Sequence, residues 1–123
     1  MKKLIILLLI PFFSCGQDLN RGETIDKMNR DVQQFLPYDF GNGIVWTQSI
    51  NEDNLRAVKI YNVSEQGISM VKGMTKNEIM GELRAVTNDE GFKISKEKKI
   101  ISVWRYYYQD NLIKEIIVNP DEW

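Results

Sequence analysis

The stretch that decides the fold is Ile100-Ile101-Ser102-Val103-Trp104-Arg105-Tyr106-Tyr107-Tyr108, followed by Leu112-Ile113-Lys114-Glu115-Ile116-Ile117-Val118. Both runs are rich in β-branched and aromatic residues, which favour strands over helices. A short polar interval separates them, and Pro120 ends the second run because proline cannot donate to a strand ladder. We therefore expect two neighbouring antiparallel strands at the carboxyl end of the chain.

Charge predicts the pairing of these two strands. A three-residue loop at 109–111 would place Tyr108 opposite Leu112 and produce three further pairs: Arg105 with Glu115, Val103 with Ile117, and Tyr107 with Ile113. A two-residue loop would instead place Arg105 opposite Ile116. Opposite charges facing each other across a strand pair contribute ~0.2–1 kcal/mol. The three-residue loop is therefore predicted.

Two segments have the spacing of amphipathic helices. From Thr24 onward, apolar residues recur every three or four positions and Pro37 ends the pattern; they are Ile25, Met28, Val32 and Phe35. In the second half, Thr75 and Glu78 have the spacing of a capping box. The apolar face that follows consists of Ile79, Met80, Leu83 and Val86. Each segment is predicted to be a helix with one apolar stripe.

The remaining apolar runs are short and suggest further strands. Residues 44–47 and 55–63 are predicted strands, joined by the polar turn Asn51-Glu52-Asp53-Asn54. Ile68 with Met70 would form a short third strand, and Phe92 with Ile94 another. The order would then be helix, strands, helix, strands.

This order predicts an α+β fold, a two-layer sandwich with two helices on one face of an antiparallel sheet. Gly43 and Gly91 lie at matching places, and Val32 and Phe35 match Met80 and Leu83 at the same offset of 48 residues. An internal αββ-αββ duplication is one interpretation. Two unrelated αββ units with core-facing patterns would look alike anyway.

The amino terminus has the organisation of an export signal. Met1-Lys2-Lys3 is a short positive segment, and the apolar run 4–10 has seven residues. A membrane-spanning helix needs about 20 apolar residues, so this run is too short to be one. A secretory leader is the better interpretation. We expect a signal peptide at 1–14, a polar tether at 15–23 and a single domain at 24–123.

The end of this leader, Phe12-Phe13-Ser14-Cys15, resembles a bacterial lipobox, and the ending Ser-Cys-Gly resembles lipoproteins of the Bacteroidetes group. The resemblance implies cleavage after Ser14 and a diacylglycerol on the thiol of Cys15. Acyl chains contribute ~0.8 kcal/mol per buried methylene, so such an anchor would be durable. It also implies an outer-membrane lipoprotein facing the periplasm, with the cell surface as the alternative.

Two stretches of the predicted domain resemble small exported bacterial proteins that carry no known activity. One comprises Asn29, Leu36-Pro37 and Asp39, and the other runs from Tyr106-Tyr107-Tyr108-Gln109-Asp110 through Ile116 to Val118-Asn119-Pro120-Asp121. Trp123 stands near the place where that pattern has a cysteine. The resemblance implies an α+β fold and assigns no catalytic residue.

Composition argues against most familiar catalytic chemistry. The chain has no histidine and one cysteine, so no Ser-His-Asp triad or Cys-His pair can form. We expect no cofactor and no metal. The net charge of −1 lacks the basic footprint of a nucleic-acid-binding protein. Adjacent carboxylates at 52–53, 89–90 and 121–122 lie at predicted turns or the terminus, which makes a glycosidase-like enzyme the least favoured interpretation.

Aromatic residues are the remaining signal for function. Tyrosine and tryptophan serve both sheet packing and recognition surfaces. Because helices would cover one sheet face, some of Trp104, Tyr106 and Tyr108, or else Tyr107, should lie on a less covered face. The first hypothesis is a non-enzymatic module that uses these rings to bind an envelope protein, as an accessory, inhibitor or immunity-type protein. The alternative is a carrier of a small glycan or lipid.

Overall fold

The computed structural model describes residues 19–87 and 90–123. Its helices are α1 (Arg21–Gln33), α2 (Ile68–Gly73), α3 (Lys76–Thr87) and α4 (Glu90–Glu97). Its strands are β1 (Tyr38–Gly41), β2 (Ile44–Glu52), β3 (Arg56–Val63), β4 (Ile101–Tyr108) and β5 (Asn111–Val118). Short 3-10 turns occupy Glu65–Gly67 and Pro120–Glu122. Cys15 and the expected leader lie outside the described residues.

The five strands form a single sheet in the order β1-β2-β3-β4-β5. Neighbours are antiparallel except β3 and β4, which are parallel. The fold class is therefore α+β, as predicted, but the expectation of a wholly antiparallel sheet was wrong at this one pair. Parallel neighbours need a long crossover connection, and α2, α3 and α4 supply it.

The crossover explains why two predicted strands are helices. Ile68 and Met70 lie in α2, where both pack against the core beside the fully buried Val71. Ile94 lies in α4 together with position 92. Gly91 is also helical, whereas Gly43 occupies a tight turn at φ +78°. The matched glycines of the two halves thus have different conformations.

Both long helices begin at capping side chains. Asn20 Oδ1 accepts the backbone N–H of Glu23 at 2.8 Å, and Glu23 Oε1 accepts that of Asn20 at 3.1 Å. This capping box starts α1 at Arg21, three residues before Thr24 and inside the predicted tether. Thr75 Oγ1 accepts the N–H of Glu78 at 3.2 Å and precedes α3, as predicted.

The β4–β5 hairpin has the predicted register over most of its length. Arg105 faces Glu115 and Val103 faces Ile117. The predicted loop is one residue too long, because Tyr107 pairs with Leu112 rather than Ile113. Gln109 and Asp110 both have positive φ, at 47° and 66°, as a two-residue type I′ turn requires. A bulge at Ile113 then restores the charge pairing.

The main core combines side chains from one face of the sheet with side chains from the helices. Side chains alternate between the two faces of a strand, so the pairing register assigns each residue to a face. We call the face carrying Trp46, Tyr61, Tyr106 and Val118 the core face. These four share one buried cluster with helical residues, among them Val32 of α1, Val71 of α2 and Leu83 of α3. A smaller cluster joins Ile25, Ala57 and Ile100.

Candidate functional site

The four aromatic residues predicted to bind a partner do not lie together. Trp104 and Tyr106 are each 1% exposed and belong to the core cluster. Tyr108 is half-buried and shares their face, whereas Tyr107 is half-buried on the opposite face. Trp104 and Tyr106 are therefore core residues, because their face is the one that packs against the helical residues. Only Tyr107 and Tyr108 retain surface that a partner could contact.

The opposite side of the sheet, which we call the second face, has a different chemistry. It consists of positions 48, 50 and 52 of β2, the even positions of β3, the odd positions 101–107 of β4, and Leu112, Glu115 and Ile117 of β5. Isoleucine and valine side chains alternate there with charged ones. None of these residues belongs to the two buried clusters found among the described residues.

Arg105 is the centre of an ion-pair network on the second face. Its Nη1 and Nη2 donate to the two carboxylate oxygens of Glu52 at 2.8 and 3.1 Å, and its Nε donates to Glu115 Oε2 at 2.7 Å. Arg56 Nη1 lies 3.7 Å from Glu52. Hydrogen bonding from Arg105 lowers the pKa of Glu52, and hydrogen bonding to Glu52 and Glu115 raises the pKa of Arg105. Glu52 therefore stays ionised and Arg105 stays protonated near neutral pH.

This network also covers apolar surface. In the sheet register, Val58 and Val103 lie in the row of side chains between Arg105 and Glu52. Both valines are 0% exposed although they face away from the helical core. The long aliphatic stem of an arginine can cover apolar neighbours while its charged head remains at the surface. We expect the stem of Arg105, which extends diagonally towards Glu52, to contribute to their burial.

Exposed apolar side chains flank the network along the edge strand β5. Leu112 is 49% exposed and Ile117 is 39% exposed, one on each side of Glu115. Tyr107 lies directly across from Leu112. Tyrosine and arginine are among the residue types enriched in protein interfaces. This part of the second face therefore combines a tyrosine and an arginine with two exposed aliphatic side chains.

The core face contains a second unusual cluster, formed by Lys59, Tyr61, Trp104 and Tyr106. Lys59 is only 9% exposed, and its Nζ lies 5.2 Å from the centre of the Trp104 ring. The rings of Tyr61 and Tyr106 stack with centroids 4.7 Å apart. We call these four side chains the lysine–aromatic cluster.

Three polar atoms of this cluster have no hydrogen-bond partner among the described residues. Tyr61 Oη, Tyr106 Oη and Trp104 Nε1 are all buried without one. Trp46, another buried tryptophan, differs because its Nε1 donates to the carbonyl of Gln48 at 2.9 Å. A buried polar group left without a partner costs about 1–3 kcal/mol. Such a concentration on two neighbouring strands requires an explanation beyond packing.

Burial changes the titration of the same side chains. It lowers the pKa of Lys59 to about 8, since the charged amine loses its hydration. It raises the pKa of Tyr61 and of Tyr106, and each phenol therefore stays protonated at neutral pH. Near pH 7 the cluster combines a positive amine with three neutral groups, all able to donate hydrogen bonds.

Sequence reasoning missed Lys59, although its position carried a signal. In the predicted strand 55–63, Lys59 has the same parity as the apolar residues Ala57, Tyr61 and Val63, although Val58 and Ile60 make the other parity apolar too. A lysine on the buried parity of a strand is unusual, because lysine is almost never fully buried without a partner. Only the sheet register shows that the parity of Lys59 is the one that shares a buried cluster with the helical residues.

A third region, at the start of α1, is an open cleft of about 450 Å³ lined by Asn20, Arg21, Gly22, Glu23, Asp26 and Asn54. Its polar side chains bind one another. Asn51 Nδ2 donates to Asp26 Oδ1 and to Asn54 Oδ1, each at 2.9 Å, and Arg21 Nε donates to the carbonyl of Asn54 at 2.7 Å. These bonds attach α1 to the β2–β3 turn, which gives the cleft a structural role.

Among the described residues, no helix has the length and hydropathy needed to cross a bilayer. No family model matches the chain, and searches of curated proteins and of solved structures found no match either. The second face and the lysine–aromatic cluster are the two candidate sites that its own side chains provide.

Proposed function

We propose that the protein is a non-enzymatic envelope lipoprotein that binds a protein partner through the second face of its sheet. The amino-terminal sequence supports the anchor: an apolar run of seven residues precedes Ser14-Cys15-Gly16. In this proposal Cys15 carries the lipid and holds the domain at the outer membrane, on the periplasmic side.

The observation that carries the binding function is the exposure of Leu112 and Ile117 on either side of the Arg105–Glu115 pair. Two large apolar side chains on one edge strand lose unfavourable contact with water when a partner covers them. The central ion pairs would orient that partner, because charge complementarity determines register and specificity more than affinity.

The arrangement of helices belongs to the same proposal. We propose that α1 and α3 share the core face, since Val32 and Leu83 join the same buried cluster, and that they leave the second face for the partner. A duplication of the two halves is not required for this function.

Membrane attachment is tested by fractionation. The wild-type protein should partition with membranes and into detergent, whereas Cys15→Ser should be retained as a longer, unprocessed, lipid-free chain. Equal partitioning and equal size of both proteins would contradict the lipid anchor.

Partner binding is tested by crosslinking in intact envelopes followed by purification of a tagged protein. One near-stoichiometric protein should be recovered with the wild type and lost with the double variant Leu112→Thr, Ile117→Thr. Phe35→Ser is the matched control, because Phe35 is 37% exposed but lies outside the sheet. Unchanged recovery by the double variant would contradict binding through the second face.

A second candidate function is carriage of a small ligand. The specific observation in its favour is the lysine–aromatic cluster, with three buried polar atoms that lack a partner in the described part of the chain. A bound molecule that accepts hydrogen bonds would satisfy them. Native mass spectrometry of the protein purified from its own envelope tests this function, since a carrier should retain a molecule of defined mass.

A further inference from the structure

We infer that the lysine–aromatic cluster binds the carboxylate group of a small ligand with an apolar body. This inference rests on the second candidate function, carriage of a small ligand, and specifies its chemistry. The partner-binding role of the second face does not involve these residues.

The sheet register brings the four side chains together. Lys59 of β3 pairs with Trp104 of β4, and Tyr61 pairs with Tyr106. Lys59 and Tyr61 are two residues apart on one strand, as are Trp104 and Tyr106, so all four occupy adjacent places on the core face. Neighbouring strands lie about 4.8 Å apart, which is close enough for one small group to contact several of them.

The cluster has more hydrogen-bond donors than acceptors. An ammonium and an indole N–H can only donate, and a protonated phenol can donate as well as accept. Among the described residues, no carboxylate or carbonyl is found bonded to these groups; the described contact of Lys59 is with the Trp104 ring. A complementary ligand must therefore supply acceptors.

The positive charge of Lys59 limits the chemical class of the ligand further. Lys59 is only 9% exposed, no carboxylate among the described residues pairs with its amine, and burial alone accounts for the lowering of its pKa. A single negative charge would balance it, whereas a dianionic phosphate would leave one negative charge unpaired in the interior. A carboxylate has one charge and two oxygens, and charge-assisted bonds to it are stronger than neutral ones.

The surroundings of the cluster are apolar and adaptable. The Tyr61 ring also contacts those of Trp46 and Phe40, with centroid separations of 6.1 and 6.2 Å. Met74 and Met80 belong to the same buried cluster from the helical side. Methionine is unbranched and repacks at low cost, so this layer can admit the hydrocarbon part of a ligand.

A structural role for Lys59 predicts something different. A lysine that only filled the core would be replaced by methionine with equal or greater stability and with no other consequence. The two interpretations therefore agree on the stability of the ligand-free variant and disagree on what that variant binds.

The test uses octanoate as probe, with 1-octanol and octylamine as matched controls that have the same chain and a neutral or positive head. Tryptophan fluorescence and thermal melting of the full processed protein are measured at pH 7. Octanoate should bind at least tenfold more tightly than octanol and raise the melting temperature, and octylamine should do neither.

Lys59→Met should bind octanoate at least tenfold more weakly while melting no lower than the wild type. Lys72→Met is the control, because Lys72 is exposed on α2. Tyr106→Phe keeps the ring and removes one hydroxyl, so a threefold or greater loss of octanoate affinity is expected even if Lys59→Met fails to fold. Equal binding of octanoate and octanol, or unchanged octanoate binding by Lys59→Met and Tyr106→Phe, would overturn the inference.

Native mass spectrometry distinguishes a wrong carboxylate assignment from a wrong proposal of ligand carriage. An uncharged molecule retained by the purified protein, without octanoate binding, would preserve ligand carriage and overturn the carboxylate assignment. A protein that retains nothing and binds none of the probes would overturn both.

Discussion

Arg105 lies two strands away from Glu52 and donates a hydrogen bond to each oxygen of its carboxylate, at 2.8 and 3.1 Å. The two residues are 53 positions apart in the chain, and Val58 and Val103 lie in the row between them. This link joins β2 to β4 across β3 on the side of the sheet that faces away from the main core. It combines a bidentate ion pair with cover for two buried valines.

Replacing Arg105 should separate these two contributions. Arg105→Met retains an aliphatic stem but loses the pairs, and should lower the free energy of unfolding by about 1–2 kcal/mol, since the partners are about one-third exposed. Arg105→Ala also uncovers the valines and should cost about 2–3 kcal/mol. Urea titration measures both. Lys27→Met, which breaks a 3.6 Å surface pair, should stay within about 0.5 kcal/mol. Equal losses for Met and Ala would contradict the covering role.

The Arg105–Glu52 pair should make the free energy of unfolding fall at acidic pH. Hydrogen bonding from Arg105 lowers the pKa of Glu52 below its usual 4.5, so the unfolded chain binds more protons as the pH falls. The stabilisation is present above pH 4.5 and is lost as the pH drops through the folded-state pKa. Urea midpoints between pH 6 and pH 3 should fall less steeply for Glu52→Gln than for the wild type. Parallel curves for the two proteins would rule out this contribution.

Lys59 should produce a second rise of stability with pH, at the alkaline end. Because its pKa falls to about 8 on folding, the unfolded chain binds more protons between pH 8 and 10.5, and stability should rise across that window. Above pH 10, the raised pKa values of Tyr61 and Tyr106 reverse the trend, since the unfolded tyrosines ionise first.

Lys59→Met should be more stable than the wild type at pH 7 by about 1–3 kcal/mol and should lack the rise above pH 8. Guanidinium titrations at pH 7, 8 and 9.5 measure both effects. A wild-type stability that stays level from pH 8 to 9.5 would mean that the amine is hydrated in the folded protein.

Two glycines with nearly the same backbone angle should respond differently to alanine. Gly41 and Gly43 have φ of +79° and +78°. A Cβ at Gly41 meets nothing within 4 Å, whereas one at Gly43 would clash with Ser64 and lie 2.9 Å from the backbone nitrogen of Gly67. Gly41→Ala should cost about 1 kcal/mol from backbone strain alone, and Gly43→Ala about 2–4 kcal/mol. Thermal unfolding of the two variants tests the difference, and equal melting temperatures would refute it.

The β4–β5 turn offers a stabilising change. Gln109 and Asp110 adopt the left-handed angles of a type I′ turn, for which Asn-Gly is the preferred sequence. The double variant Gln109→Asn, Asp110→Gly should raise the free energy of unfolding by about 0.5–1 kcal/mol. Denaturant unfolding measures the gain, and a loss would mean that the loop has three residues, as the sequence by itself suggested.

Local chemistry predicted much of the fold. The β4–β5 strands, the Arg105–Glu115 pairing, the helix bounded by Thr75 and the apolar stripe of α1 follow from alternation, capping and charge between residues close in the chain. Ile68 and Met70 were misassigned because a short apolar run fits a strand or a buried helical turn equally well. Neighbouring residues could not show whether Trp104 and Tyr106 are exposed, since strand β4 has large side chains on both parities.

The sequence by itself determined the fold class, the strong strands and the residue types absent from any site, because periodicity and composition act over a few residues. Only the tertiary structure decided that β3 and β4 run parallel and that Arg105 meets Glu52. It also decided that Lys59 is buried beside Trp104. These relationships join residues 45 to 53 positions apart, and their free energy depends on desolvation and contact that exist only after the sheet has assembled.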